Sequence, residues 1–220
     1  MEQDRPRPEL IIFDCDGVLV DSELLSCRCL SEVLAEFDIA LSQQQALELF
    51  LGRSTKAIEQ HYRSLGQTVP ESFLPRLKSH VLSTFAACLQ PIPGIAGVMS
   101  ELSVPFCVAS SSDFDRVALS LDVTGLRAHF GERIYTAQMV RHGKPAPDLF
   151  LLEAEKMGVR PARTLVIEDS VSGVAAGKAA GMTVWGFVGG SHYRGRDGQA
   201  ILSGAGADRV FARMGDFWEA

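Results

Sequence analysis

The sequence predicts an α/β fold built on a parallel sheet, with one all-helical insert. Three observations predict it. Short apolar runs recur along the chain and end in polar or acidic residues, as strands buried on both faces do. Segments of helical periodicity separate these runs, the alternation expected of a parallel sheet with helices on its faces. One stretch, from about residue 22 to 89, breaks the alternation and reads as helical throughout.

The first strand is Leu10-Ile11-Ile12-Phe13, which ends in Asp14-Cys15-Asp16-Gly17. In the helical stretch Leu24, Leu30, Val33, Leu34 and Phe37 fall near the 3.6-residue period. Ser42 and Gln45 have the spacing of a capping box. Ser54 is placed to cap a third helix ending near Gly66, and Pro70 suits the first turn of a fourth. The sheet then resumes. Pro105-Phe106-Cys107-Val108-Ala109 ends in Ser110-Ser111-Ser112, and Thr164-Leu165-Val166-Ile167 ends in Glu168-Asp169-Ser170. Residues 182–188 form a further strand, with weaker ones at 133–136 and 209–212. Helices are expected at 113–121, 147–157 and 171–180, the last two running into Gly158 and Gly181.

At 220 residues, 46% hydrophobic and 22% charged, the chain has the composition of an ordinary globular protein of one or two domains. A formal net charge of −6 leaves no basic footprint for nucleic acid. It remains compatible with a small phosphorylated substrate, because a local site can oppose the global charge. No apolar run approaches the roughly 18 residues of a membrane span. Cys15, Cys27, Cys29, Cys88 and Cys107 are odd in number and form no Cys-x-x-Cys pair, so reduced thiols and a cytoplasmic location are expected. The charged, proline-containing residues 1–9 lack the apolar segment of a signal peptide. A monomer is the expected state, with a dimer as the alternative.

In open parallel sheets, ligands bind outside the carboxyl ends of the strands. Asp14-x-Asp16, Ser110 and Glu168-Asp169 are therefore expected on one rim. Asp14 and Asp16 are two apart and point to the same side of an extended chain. Two carboxylates about 4 Å apart repel by roughly 4 kcal/mol at an intermediate dielectric. A divalent cation is the simplest offset, and hard oxygen ligands favour Mg2+ over zinc. Lys144, in Gly143-Lys144-Pro145-Ala146-Pro147-Asp148, offers a second cation on a loop stiffened by two prolines. Ser110 and the Ser111 N–H are placed to donate to the same phosphate. This set suits phosphoryl transfer. A carboxylate, Asp14, attacks phosphorus to give an aspartyl-phosphate, and Mg2+ and Lys144 stabilise the equatorial oxygens. Asp16 protonates the leaving oxygen and later deprotonates water. Each feature alone is commonly structural; the argument rests on their joint order at strand ends.

These residues resemble the haloacid dehalogenase-like superfamily. Phe13 through Ser22 is similar to its first motif, Val108-Ala109-Ser110-Ser111 to the second, Lys144-Pro145 to the third and Glu168-Asp169-Ser170 to the fourth. The resemblance implies a Rossmann-like doubly wound core, residues 1–21 and 90–220, with a helical cap, residues 22–89, inserted after the first motif. It also implies Mg2+ held by Asp14, the backbone carbonyl of Asp16, and Asp169, with Glu168 a neighbour or alternate ligand. Dehalogenase-like members lack the second acid, since a halide leaving group needs no proton, so Asp16 favours phosphoryl transfer. β-Phosphoglucomutase-like members carry a histidine twelve residues after the nucleophile; Ser26 stands there and weakens a mutase reading. Phosphonoacetaldehyde hydrolase-like members need a Schiff-base lysine in the cap, and neither Lys56 nor Lys78 has a matching context. Residues 13–22, followed by Cys27-Arg28, are similar to bacterial phosphatases acting on 6-phosphogluconate, which points to a sugar phosphate or sugar-acid phosphate.

In similar proteins the cap loop Leu51-Gly52-Arg53-Ser54 faces the active site. Gly52, Arg53 and Lys56 are the expected substrate contacts, Arg53 pairing with a carboxylate or phosphate. Arg28 is a weaker one, since it is also spaced for an ion pair with Glu32. His192 follows a strand end, which places it near the rim or, the stronger expectation, in an exposed loop; Cys15 is expected as a space-filler between the two acids, and Asp148 as a support for the helix after Lys144. The expected function is a Mg2+-dependent phosphomonoesterase. The alternatives are a phosphosugar mutase and a non-enzymatic phospho-accepting receiver, the latter disfavoured by the insert and by Asp16.

Overall fold

A computed structural model describes residues 7–51 and 55–219. Strand β1 (Leu10–Asp14) is followed by helices α1 (Glu23–Ala35), α2 (Gln43–Phe50), α3 (Thr55–Ser64) and α4 (Phe73–Cys88), with no strand between them. Helix α5 (Ile95–Glu101) returns the chain to the sheet at β2 (Phe106–Ser110). Helix α6 (Phe114–Val123) and the one-turn α7 (Arg127–Phe130) lead to β3 (Ile134–Thr136). Three further pairs complete the chain: α8 (Asp148–Lys156) with β4 (Thr164–Glu168), α9 (Val171–Ala179) with β5 (Thr183–Phe187), and α10 (Gly198–Gly204) with β6 (Arg209–Phe211). The strands pair in parallel in the order β3-β2-β1-β4-β5-β6. The sheet is Rossmann-like, and its order reverses at β1, so the carboxyl ends of β1 and β4 flank the crevice where such sheets bind ligands.

Both faces of the central strands are buried, which accounts for their unbroken apolar runs. Side chains alternate across the sheet. Leu10 and Ile12 pack on one face with Cys107, Phe150, Val166 and Val174. Ile11 and Phe13 pack on the other with Phe106 and Phe130, in a core that runs on into the helical insert through Leu19, Cys27, Phe73 and Phe85. Burying each such side chain contributes roughly 1.5–3 kcal/mol. The insert is thus joined to the face of the sheet that carries Phe13, above the end of β1.

Local signals start the helices where the sequence places them. Ser42 and Gln45 form the reciprocal capping box of α2. Asp113 caps α6 by accepting from the Arg116 N–H, and Ser170 caps α9 by accepting from the Gly173 N–H. One start differs. Helix α4 begins at Phe73, not Pro70: the Phe73 N–H closes a turn onto the Pro70 carbonyl, and Pro75 takes the place in the first helical turn. Helices α5, α7 and α10 were not anticipated, because at seven, four and seven residues they are too short to show a period. No helix of the described residues is long and apolar enough to cross a membrane.

Candidate active site

The last residue of β1, Asp14, meets the loop lysine and the end of β4 at the crevice. Lys144 Nζ donates to Asp14 Oδ1 at 2.5 Å, to Glu168 Oε1 at 2.7 Å and to the Ala109 carbonyl at 3.1 Å. Its side chain is 1% exposed. A cis peptide joins Lys144 to Pro145. The other Glu168 oxygen accepts from the Ser170 N–H and hydroxyl, both at 2.9 Å. Gly173 makes room for this: a Cβ there would fall 1.8 Å from Glu168 Oε1.

Asp14, Glu168 and Asp169 each place one carboxylate oxygen within 4.8 Å of the others. Burial pushes Asp14 well above the usual carboxylate range; Lys144 opposes the shift, and Glu168 and Asp169 add to it. Asp169 is likewise raised by burial and by Glu168. Burial works against the Lys144 ammonium, but Asp14 and Glu168 outweigh it and hold the proton on. One lysine therefore faces three buried acids, and among the described residues Asp169 Oδ2 has no hydrogen-bond partner. A hard divalent cation fits that donor set and that surplus of negative charge. Gly17 permits the cluster to form: it has φ +80°, and a Cβ there would fall 1.7 Å from Asp169 Oδ2.

Asp16 does not share this cluster. The tight turn after β1, where the Leu19 and Val20 N–H groups bond the Cys15 carbonyl, carries its carboxylate elsewhere. Oδ1 accepts from Ser22 Oγ at 2.5 Å and Arg116 Nη2 at 2.7 Å, and Oδ2 accepts from Ser112 Oγ at 2.7 Å. Asp16 still adds to the raised pKa of Asp14, but the carboxylates grouped with Asp14 are those of Glu168 and Asp169. Burial raises Asp16, but Arg116 and the hydrogen bonds outweigh it and hold the group low, as a carboxylate. Arg116 Nη2 also donates to Ser26 on α1, and its guanidinium lies 4.9 Å over the Phe85 ring. The core thus grips the insert through the residue that holds Asp16.

A chamber of about 80 Å3 lies over Asp14. The core side contributes Asp14, Asp16, Lys144, Ser111, Ser112 and Arg116; the insert contributes Cys27, Leu30, Phe50, Ile58 and Leu77, with Glu23 and Ser26 as its polar groups. Ser110 stands behind this wall, fully buried, its hydroxyl accepting from the Ser112 N–H at 3.0 Å. Burial, Asp16 and Asp169 push the Glu23 carboxyl up to about 8. Gly52 and Arg53 lie outside the described residues, as does the side chain of Lys56.

Sequence reasoning missed Ser112, Arg116 and Glu23. Arg116 left no signal, since a first-turn arginine on α6 is indistinguishable from a surface charge. Arg28 pairs at the surface with Glu32, at 3.7 Å. Cys15 is a buried space-filler whose thiol burial pushes well up. Asp148 is the first residue of α8, behind Pro147 in the cap position. His192 is not exposed. Its side chain is fully buried, with Nε2 3.2 Å from Asp169 Oδ2, and burial lowers its basicity. The next residue, Tyr193, donates its hydroxyl to the Asp169 carbonyl at 2.5 Å.

With this geometry in hand, residues 11–187 match the family described as haloacid dehalogenase-like hydrolase. The chain belongs to that family. A 6-phosphogluconate phosphatase of Escherichia coli is 28% identical over 84% of this chain and 85% of the relative. A fructose-1-phosphate phosphatase of the same organism is 33% identical over 78% and 92%. A crystal structure of a haloacid dehalogenase-family hydrolase from Deinococcus radiodurans, with bound phosphate and sodium, superposes with a TM-score of 0.76 at 36% identity, covering 97% of this chain and 94% of that one. This chain is an enzyme of the same kind, a haloacid dehalogenase-like phosphatase.

Proposed function

We propose that this chain is a Mg2+-dependent phosphomonoesterase that hydrolyses a small phosphorylated metabolite, a sugar phosphate or sugar-acid phosphate, through an aspartyl-phosphate on Asp14. The observation that carries this reading is Asp14 at the end of β1, with Lys144 on one oxygen and the Glu168 and Asp169 carboxylates beside it. Asp14, Asp169 and the main-chain carbonyl of Asp16 would hold the metal, with Glu168 as neighbour or alternate ligand. When bound, the metal supplies positive charge against the transferring phosphoryl group.

In the first step an Asp14 carboxylate oxygen attacks phosphorus and the bond to the ester oxygen breaks; that oxygen takes a proton from Asp16. In the second, water attacks the phosphoryl group, gives its proton to Asp16, and the bond from Asp14 to phosphorus breaks. The clamped Asp16 carboxylate is in the form the second step needs, and the first step requires that it take up a proton as substrate binds. Lys144 and the Ser111 N–H bind phosphate oxygens, and Ser110 supports them from behind by accepting from the Ser112 N–H. We take residues 22–89 as a cap over a core of residues 1–21 and 90–220. Its apolar side chains line the chamber, and closure of the cap over substrate would keep bulk water out. Gly52, Arg53 and Lys56 belong to the part of the cap that reads the substrate.

Two relatives named for phosphorylated sugars or sugar acids support the substrate class. Ser26, bonded to Arg116, stands where mutase-like members have histidine, which favours hydrolysis. A cytoplasmic setting belongs to the same reading, supported by five thiols that form no disulfide. The test is a phosphate-release screen over sugar phosphates, sugar-acid phosphates and nucleotides. Release should occur on the first two classes, stop with a chelator and return with Mg2+. Isomerisation dependent on a sugar bisphosphate, without phosphate release, would overturn the assignment.

A further inference from the structure

The chamber over Asp14 is too small for a whole phosphorylated sugar. Its volume of about 80 Å3 compares with the roughly 300–1,000 Å3 of small-molecule sites. A second cavity of about 740 Å3 shares two walls with it, Lys144 and Ser170. The insert lines this cleft with Leu47, Glu48, Leu51, Ala57 and Gln60; the core lines it with Ser172, Tyr193 and Arg196, among others. A substrate whose phosphate meets Asp14 has its remaining atoms in this larger cleft.

The charged groups facing the cleft are Glu48, Lys144 and Arg196. The Lys144 ammonium sits at the reacting end, bonded to Asp14, Glu168 and the Ala109 carbonyl, and serves the transferring phosphate. Arg196 is not committed. Among the described residues no carboxylate lies within ion-pair distance of it, and its Nη1 is buried without a hydrogen-bond partner. A buried donor left unpaired is costly, so an acceptor is expected there. The guanidinium lies 5.6 Å over the Tyr193 ring, which fixes its plane. Tyr193 is itself pinned by its bond to the Asp169 carbonyl. The Arg196 charge is also felt at Cys27, which lines the small chamber, and at His192. Arg196 thus lines the larger cleft, whose walls Lys144 and Ser170 are shared with the chamber over Asp14.

We propose that Arg196 reads a second oxyanion at the far end of the substrate, so that the substrate is a phosphorylated sugar acid or a sugar bisphosphate and not a neutral sugar monophosphate. A planar, two-pronged donor matches a carboxylate or a phosphate, whereas a neutral hydroxyl leaves it unneutralised. This rests on the phosphatase reading above.

The test compares kcat/KM for a six-carbon aldonic acid 6-phosphate, the matching aldose 6-phosphate and the hexose 1,6-bisphosphate, in wild type, Arg196→Ala and Arg196→Gln. Wild type should prefer one doubly anionic substrate to the aldose phosphate by tenfold or more. Which one it prefers separates carboxylate from phosphate. Both variants should lose at least tenfold of that ratio, chiefly through KM, and Arg196→Lys should retain part of it. Glutamine keeps much of the side-chain stem, so a folding failure of the alanine variant leaves the test intact. Phosphate release with no such preference in wild type, or an equal loss on every substrate in the variants, overturns the role of Arg196 and leaves the phosphatase reading standing. No release from any ester overturns both.

Discussion

Glu168 and Glu153 are both fully buried glutamates, yet they have opposite surroundings. At the end of β4, Glu168 accepts from Lys144, from the Ser170 N–H and from the Ser170 hydroxyl. On α8, neither oxygen of Glu153 has a hydrogen-bond partner among the described residues. The difference separates a buried carboxylate that is organised from a buried carboxyl that keeps its proton. At the rim every acid is set against a cation, a hydroxyl or another acid in a pattern suited to phosphoryl transfer. On the helix side of the sheet, Glu153 is flanked in sequence by the apolar Ala154 of the cluster that holds Cys107 and Leu149, and among the described residues no donor is set against it.

If the rim is organised for catalysis, removing its nucleophile gives the largest effect. Asp14→Asn should lower kcat by roughly 10⁴-fold or more, as loss of an attacking group does, while circular dichroism and the unfolding midpoint show the fold retained. Near-wild-type turnover would remove Asp14 from the mechanism. Lys144→Met comes next. Loss of one charge-stabilising donor lowers kcat by roughly 10²–10³-fold, and the uncompensated acids should also lower stability in urea. A variant with kcat intact would reduce Lys144 to a structural counter-ion.

How far this organisation was legible follows from the same residues. Asp14, Lys144, Glu168 and Asp169 were legible because a strand end or a proline-flanked loop places each of them, and those are local signals. The sheet was legible for the same reason, from its unbroken apolar runs. Arg116 was not, since its bond to Asp16 joins residues 100 apart in sequence and nothing local points to it. His192 was half-legible: its place after a strand end points to the rim, but Gly189-Gly190 favours reading an open loop. Those glycines instead let the histidine fold under: a Cβ on Gly190 would lie 2.7 Å from the His192 ring. Ser110 was legible as a strand end, but the turn that follows brings Ser111 and Ser112 to the chamber wall in front of it.

A smaller effect is expected one layer out. His192 and Asp169 face each other at 3.2 Å, and among the described residues neither His192 nitrogen nor Asp169 Oδ2 has a hydrogen-bond partner. If His192 orients the carboxylate, His192→Ala should weaken Mg2+ binding by roughly 10–100-fold, the range seen when a ligand loses its orienting neighbour. Isothermal titration calorimetry reads this directly. Unchanged Mg2+ affinity with lowered stability would make His192 a packing residue only.

Glu153 gives the smallest effect and the sharpest contrast with the rim. Burial pushes its pKa well above the ordinary 4.5; Lys144 opposes the shift and Asp14 adds to it. The folded state therefore holds the proton where the unfolded state releases it. Stability from this group is fully present below about pH 4.5 and falls as pH rises toward the folded-state value. Glu153→Leu removes that slope and adds an apolar side chain to the cluster of Cys107, Leu149 and Ala154. The other raised acids, Asp14, Asp169 and Glu23, remain in both proteins and cancel in the difference. Urea unfolding should find the leucine variant more stable than wild type by about 1–3 kcal/mol at pH 8, with a smaller gap at pH 5. A gap that does not change with pH, or a less stable variant, would show that Glu153 has a partner after all, and that the contrast with Glu168 is one of degree.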